Sequence, residues 1–138
     1  MAFSRFPRAD QKSLDTYGTV YYMLSMVGYA YLEFVHLPNY RRSAQGLIDD
    51  DAQRVIEASL VANPNTGAIL VGTGGVRKLR IQLEGRGKRG GARLIYYHRE
   101  AKGRIYLILA YAKGRKESLT GVERAAMKKL TAAIERER

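Results

Sequence analysis

The stretch Gly72-Thr73-Gly74-Gly75-Val76-Arg77-Lys78-Leu79-Arg80-Ile81-Gln82-Leu83-Glu84 decides how this chain is read. Its first four residues are a turn, rich in the glycines that backbone reversals favour. From Val76 onward apolar residues recur at every second position. Residues two apart share one face of a strand, so Leu79, Ile81 and Leu83 point one way and Lys78, Arg80 and Gln82 the other. By the same parity Arg77 goes with Leu79, unless it sits at an irregular strand start. Upstream the period is helical, with Ala52, Val55, Ile56 and Leu60 on one stripe. A chain whose helices come first and whose strands then cluster predicts an α+β domain.

Working outward, Leu32 to Leu37 (LEFVHL) alternates and predicts a strand stopped by Pro38. Asn39 is placed to cap a short helix from Tyr40 to Ile48. Asp49, Asp50 and Asp51 supply the cap and first-turn acids of a second helix running to about Ala62. The turn signal Asn63 to Gly67 (NPNTG) ends it, and Ala68 to Val71 is a short apolar piece. Downstream, Gly85 to Gly91 (GRGKRGG) is a loop and Ala92 to Arg99 a strand. Ala101-Lys102-Gly103 is a hairpin turn. Arg104 to Ala112 is almost wholly apolar, as a central strand covered on both sides would be. Short connections predict antiparallel neighbours. Thr120 and Glu123 form a capping box for a last helix, with Val122, Ala126, Leu130 and Ala133 or Ile134 on one face. The expected architecture is a small antiparallel β-sheet with an N-terminal αα-hairpin and a C-terminal helix, the helices covering one face.

Residues 1–30 read differently, as an N-terminal extension to a domain over 31–138. They are polar up to residue 16 and tyrosine-rich after it. They are an extra packed element, a poorly ordered extension, or translation from a start upstream of the true one; Met26 stands just before the first strand. Tyr17 to Tyr31 falls short of the roughly 18 apolar residues of a membrane span and lacks a small-x-small cleavage signal, so neither membrane nor secretion is expected. The absence of cysteine excludes disulfides and thiolate chemistry and suits a reducing cytoplasm.

The net charge of +11 is concentrated. Gly72 to Lys116 holds thirteen lysines and arginines against two glutamates, while the remaining residues carry eleven of each sign. Such a local field favours polyanions, nucleic acid above all. Lys78 and Arg80 share a strand face suited to phosphate, arginine as a bidentate fork and lysine as a point charge. Gly85 to Gly90 matches G-x-G-x-x-G, but a strand follows where a dinucleotide fold needs a helix. The loop is instead a candidate phosphate cradle, with Arg86, Lys88 and Arg89. Arg93 opens the next strand on the face of Ile95 and Tyr97. Tyr111 and Lys113 close the last strand on a common face. Tyr97 and Tyr111 either stack on bases or form amphipathic edges of the core.

His36 and His98 lack a third ligand nearby, and His98 reads as structural. The only acid cluster, Asp49 to Asp51, is explained by a helix start. Neither metal nor cofactor is expected.

Asn63-Pro64, Gly72 to Arg80 (GTGGVRKLR), Gly85 to Tyr97 (GRGKRGGARLIYY) and Ile105 to Lys113 (IYLILAYAK) together resemble HigB-type toxins of the RelE/ParE superfamily, from type II toxin–antitoxin systems. The resemblance runs from about Leu32 to the C terminus. It implies an mRNA interferase that cleaves mRNA in the ribosomal A site and inhibits translation, with a helix-turn-helix antitoxin as partner. It places catalytic residues at Lys78, Arg80, Arg93 and Lys113, and RNA-binding roles fall to Arg77, Arg86, Lys88, Arg89, Tyr97 and Tyr111. Lys78 is then the base, Arg80 and Arg93 phosphate clamps, and Lys113 a clamp or acid. Where some relatives carry arginine after that lysine and a tyrosine further on, this chain has Gly114 and, near the second place, Thr120. A ParE-type toxin aimed at DNA gyrase and a non-catalytic RNA-binding module are the competing readings.

Overall fold

The structure, a computed structural model, describes residues 32–83, 91–115 and 118–137, together with the backbone of residue 31 and of three short strands before it. Those strands are β1 (Lys12–Leu14), β2 (Val20–Tyr22) and β3 (Leu24–Ser25). The elements that follow are β4 (Tyr31–His36), α1 (Pro38–Ala44), α2 (Asp50–Ala62), β5 (Ala68–Ile69), β6 (Arg77–Ile81), β7 (Ala92–Arg99), β8 (Arg104–Ala112) and α3 (Gly121–Arg136). This is the expected α+β class.

The main sheet runs in the order β3-β4-β8-β7-β6-β5. Neighbours from β5 to β8 are antiparallel, as their short connections require. The sheet is nonetheless mixed, because β4 lies parallel to β8. Two helices and three strands separate the two in sequence, so the short-connection rule does not reach them. An ion pair between Glu33 and Arg104, 2.6 Å apart, marks the first rung of that parallel register.

Both faces of the sheet are covered, which corrects the expectation of helices on one face. On the first face Tyr40 and Ala44 of α1 and Ile56 and Leu60 of α2 pack on Phe34, Ile81, Leu94, Tyr96, Ile105 and Leu107. On the second, Met127 and Leu130 of α3 pack on Val76, Ile95 and Ile108. A register shift between Ile95 and Tyr96 lets apolar side chains serve both. Ile95 pairs with Leu109 and Tyr96 with Leu107, leaving Ile108 without a directly opposite residue. The extra residue flips the parity of β8. Ile105 and Leu107 therefore share the first face with Ala110, while Ile108 and Leu109 turn to the second.

Two helices differ from expectation in detail. Leu37 is the N-cap of α1 and Pro38 enters its first turn, where the fixed φ of proline suits a helix and its missing N–H leaves no bond unmade. The helix ends at Ala44, before Gly46 with its φ of +76°. In α3 the capping box forms as expected. Its packing face is Met127, Leu130, Thr131 and Ile134, whereas Val122 is 82% exposed. The periodicity of apolar residues missed Thr131, a buried polar residue whose place depends on the turn beneath it.

Candidate functional site: a cationic row across the sheet

The GTGG turn that opens β6 is a structural device. Thr73 is fully buried. Its hydroxyl donates to Leu70 O at 2.6 Å and accepts from Val76 N at 3.1 Å, closing the turn between β5 and β6. Thr131 of α3 donates to Thr73 O at 3.2 Å. Gly74 adopts a φ of +80°, and a Cβ there would stand 2.3 Å from Thr131 Oγ1. The turn thus holds α3 against one end of the second face. One turn further along α3, at its C terminus, buried Arg99 donates to Glu135 O and Glu137 O at 3.2 and 2.6 Å, meeting carbonyls that a helix terminus leaves without partners.

The strand register determines which side chains share the second face. Arg80 pairs with Arg93, and Arg93 pairs with Tyr111. Three side chains therefore stand in a row across β6, β7 and β8, with Cβ separations of roughly 5 Å between neighbours. Lys78 lies on the same face, one step along, opposite Ile95. Arg80 is exposed; Lys78, Arg93 and Tyr111 are half-buried. Lys113 follows β8, exposed in a turn whose backbone is tied by Lys113 N donating to Gly91 O at 2.8 Å. Gly91 is held close: a Cβ there would lie 3.0 Å from Ile81 O and 3.9 Å from Arg93 Nη1. Like charges set directly opposite one another destabilise a sheet. The Arg80–Arg93 pair is an arrangement that an anion between the guanidinium groups would relieve.

Other residues named from sequence have different places. Arg77 lies on the opposite face from Lys78 and donates through Nη1 to Asn65 O and Gly67 O, at 3.0 and 2.8 Å. It fastens the NPNTG turn to the sheet, as does buried Tyr96, whose hydroxyl donates to Pro64 O and accepts from Gly67 N. His98 bonds through Nδ1 to Asn65 Oδ1 at 2.9 Å in the same cluster, and burial lowers its pKa. Tyr97 is packed among the residues under α3 and donates to Glu135 Oε2 at 2.9 Å. Burial, and then Glu135, push its hydroxyl up to about 12, so it stays a donor. Of the two tyrosines, Tyr111 stands in the cationic row and Tyr97 is engaged by the helix. Arg86, Lys88 and Arg89 lie outside the described residues.

Sequence reasoning missed Arg99 and Thr131 as the residues that seat α3. It also missed His36, whose Nε2 lies 3.1 Å from Glu57 Oε1 in a partly buried network with Gln53 and Tyr40. Only the helical position of Glu57, on the stripe of Ile56 and Leu60, hinted at a buried acid.

Fold and face together define a small α+β domain with Lys78, Arg80 and Arg93 on one face of its sheet. A family model described as the RelE toxin of the RelE / RelB toxin-antitoxin system matches residues 40–137. The chain belongs to this family of toxins, and an antitoxin is its family partner. No helix among the described residues is long and apolar enough to cross a membrane.

Proposed function

We propose that this RelE-family toxin is a HigB-like endoribonuclease that cuts mRNA on the ribosome and so inhibits translation. The observation that carries the reading is the Arg80–Arg93 pair, with Lys78 beside it and Tyr111 completing the row. In this reading the RNA 2′-OH attacks the adjacent phosphorus and the bond to the 5′ oxygen breaks. A 2′,3′-cyclic phosphate and a 5′-hydroxyl end result. Lys78 takes the 2′-OH proton as general base. Arg80 and Arg93 hold the charge that builds on the phosphorane. Lys113 donates to the leaving oxygen or clamps the phosphate, and Tyr111 stacks on a base. The reaction needs no cofactor from the protein. The catalytic domain is residues 31–138, residues 1–30 being an extension to it. It works in the cytoplasm, and its antitoxin carries a helix-turn-helix domain.

Induction in growing cells followed by mapping of mRNA 5′ ends tests the reading. Codon-phased cuts that disappear in Arg93→Ala are expected. Growth arrest with intact mRNA and stalled replication would replace it with a gyrase-directed toxin. RNA binding without cuts or arrest would leave a binding module.

A further inference from the structure

The face opposite the cationic row carries a groove that the proposed chemistry does not use. Its volume is about 780 Å³. The link between α1 and α2 (Gly46, Leu47, Ile48) forms one side, Ala52 and Val55 of α2 another, and Leu83 at the end of β6 the third. Leu47, Ile48 and Ala52 are half-buried against the core that holds Leu83, so the floor is the open edge of that core. Val55 is 60% exposed and projects at the rim. Two acids border it. Asp49 caps α2 by accepting from Ala52 N. Asp51 is 91% exposed, with only a 3.7 Å approach to Arg54.

The described residues expose four large hydrophobic side chains: Val55, Ile69, Val71 and Val122. Ile69 and Val71 belong to the short edge at β5, where Arg124 of α3 covers the Val71 carbonyl. Of the four, Val55 lines this groove. An apolar floor with a polar rim is the anatomy of a protein docking site. Among the described lining residues the charged ones, Asp49 and Asp51, are both acidic.

We propose that this groove is a docking site for the antitoxin, which inserts an amphipathic segment with apolar side chains on the Leu47–Val55 floor and a lysine or arginine against Asp51. The inference rests on the family's antitoxin partnership and not on the cleavage chemistry. Binding here leaves the Arg80–Arg93 row uncovered, so the groove gives affinity, and occlusion of the row falls to other parts of the antitoxin.

The test uses the antitoxin encoded beside this chain, identified by its ability to restore growth. Its affinity is measured by calorimetry against the full chain carrying Arg93→Ala, which permits expression. Adding Val55→Arg should weaken binding by about 100-fold or more, as loss of a central apolar anchor does. Asp51→Lys should weaken it by about 10-fold, with the loss fading at high salt. Val122→Arg, on the far side of the sheet, serves as the control and should bind within about 2-fold of the parent. With Arg93 restored, Val55→Arg should still arrest growth, which shows that it folds, and should resist rescue. Parental affinity in Val55→Arg would overturn the proposal. So would a parental dimer that Val55→Arg turns into monomers, since the occupant would then be a second copy. Loss of mRNA cleavage as the cause of toxicity would overturn the proposed function while leaving these affinities interpretable.

Discussion

Arg93 occupies the centre of the row, between Arg80 and Tyr111, and is half-buried where Arg80 is exposed. A guanidinium held by its surroundings is better prepared to meet a phosphorane than one free in solvent. Arg93→Ala should therefore lower single-turnover RNA cleavage by about 100-fold or more, Arg80→Ala by less, and neither should change the circular dichroism spectrum. Equal cleavage by both variants and the parent would remove them from the chemistry. Tyr97 gives the contrasting expectation. Its hydroxyl serves Glu135, so Tyr97→Phe should cost about 1 kcal/mol in urea unfolding and leave cleavage intact. A drop in RNA affinity would return the ring to a stacking role. His98 supplies a pH dependence. Burial lowers its folded pKa, so between the folded and unfolded values the unfolded chain binds more protons. Its contribution is present above the ordinary histidine pKa of about 6.5 and is lost as pH falls through the lower folded value. Melting temperature should fall on acidification in that window, and less steeply in His98→Gln.

At the scale of elements, α3 is seated through its C-terminal half by two contacts about a turn apart, Thr131 over Gly74 and the Arg99 clamp. Each joins a polar side chain to backbone carbonyls, Thr131 of the helix to Thr73 O and Arg99 of β7 to the helix's own Glu135 O and Glu137 O. Gly74→Ala meets the Thr131 hydroxyl and strains a positive φ, and should destabilise the fold by about 2–4 kcal/mol. Adding Thr131→Ala should recover the steric part and leave the backbone part, which thermal unfolding of the double variant would read. Full recovery would mean that the turn tolerates a side chain at this φ. The turn motif, read from the sequence as a simple backbone reversal, works here as a helix seat. Its three glycines and one threonine show that purpose only once α3 is placed beside them.

At the scale of the molecule, the positive charge of one segment is folded onto adjacent strands whose cross-strand pairing sets Arg80 against Arg93. Single-stranded RNA releases counterions with a slope of roughly −0.7 per phosphate neutralised. Arg93→Ala should reduce the salt slope of RNA binding by roughly 0.7 if its guanidinium meets one phosphate. An unchanged slope would put the phosphate elsewhere. The groove lies across the sheet from this field, so the two proposed binding surfaces are on opposite faces.

The helices, the strands β6 to β8, the capping box of α3 and the common face of Lys78 and Arg80 were legible because each depends on periods of two or 3.6 residues within one segment. The family was legible because its motifs are contiguous runs. The parallel pairing of β4 with β8, the register shift that turns Ile108, and the separation of Tyr97 from Tyr111 were not. Each depends on which residue of a distant strand or helix stands opposite, and a local pattern carries no information about that. Strand parity did set Arg77 on the face of Leu79, away from Lys78, but it carried no sign of what Arg77 meets there. The pleat sends it to the other face, to the carbonyls of the NPNTG turn. The sequence by itself determined the α+β class and the concentration of cations. Tertiary packing alone decided which of those cations stand together, because a row across three strands exists only when their register is set.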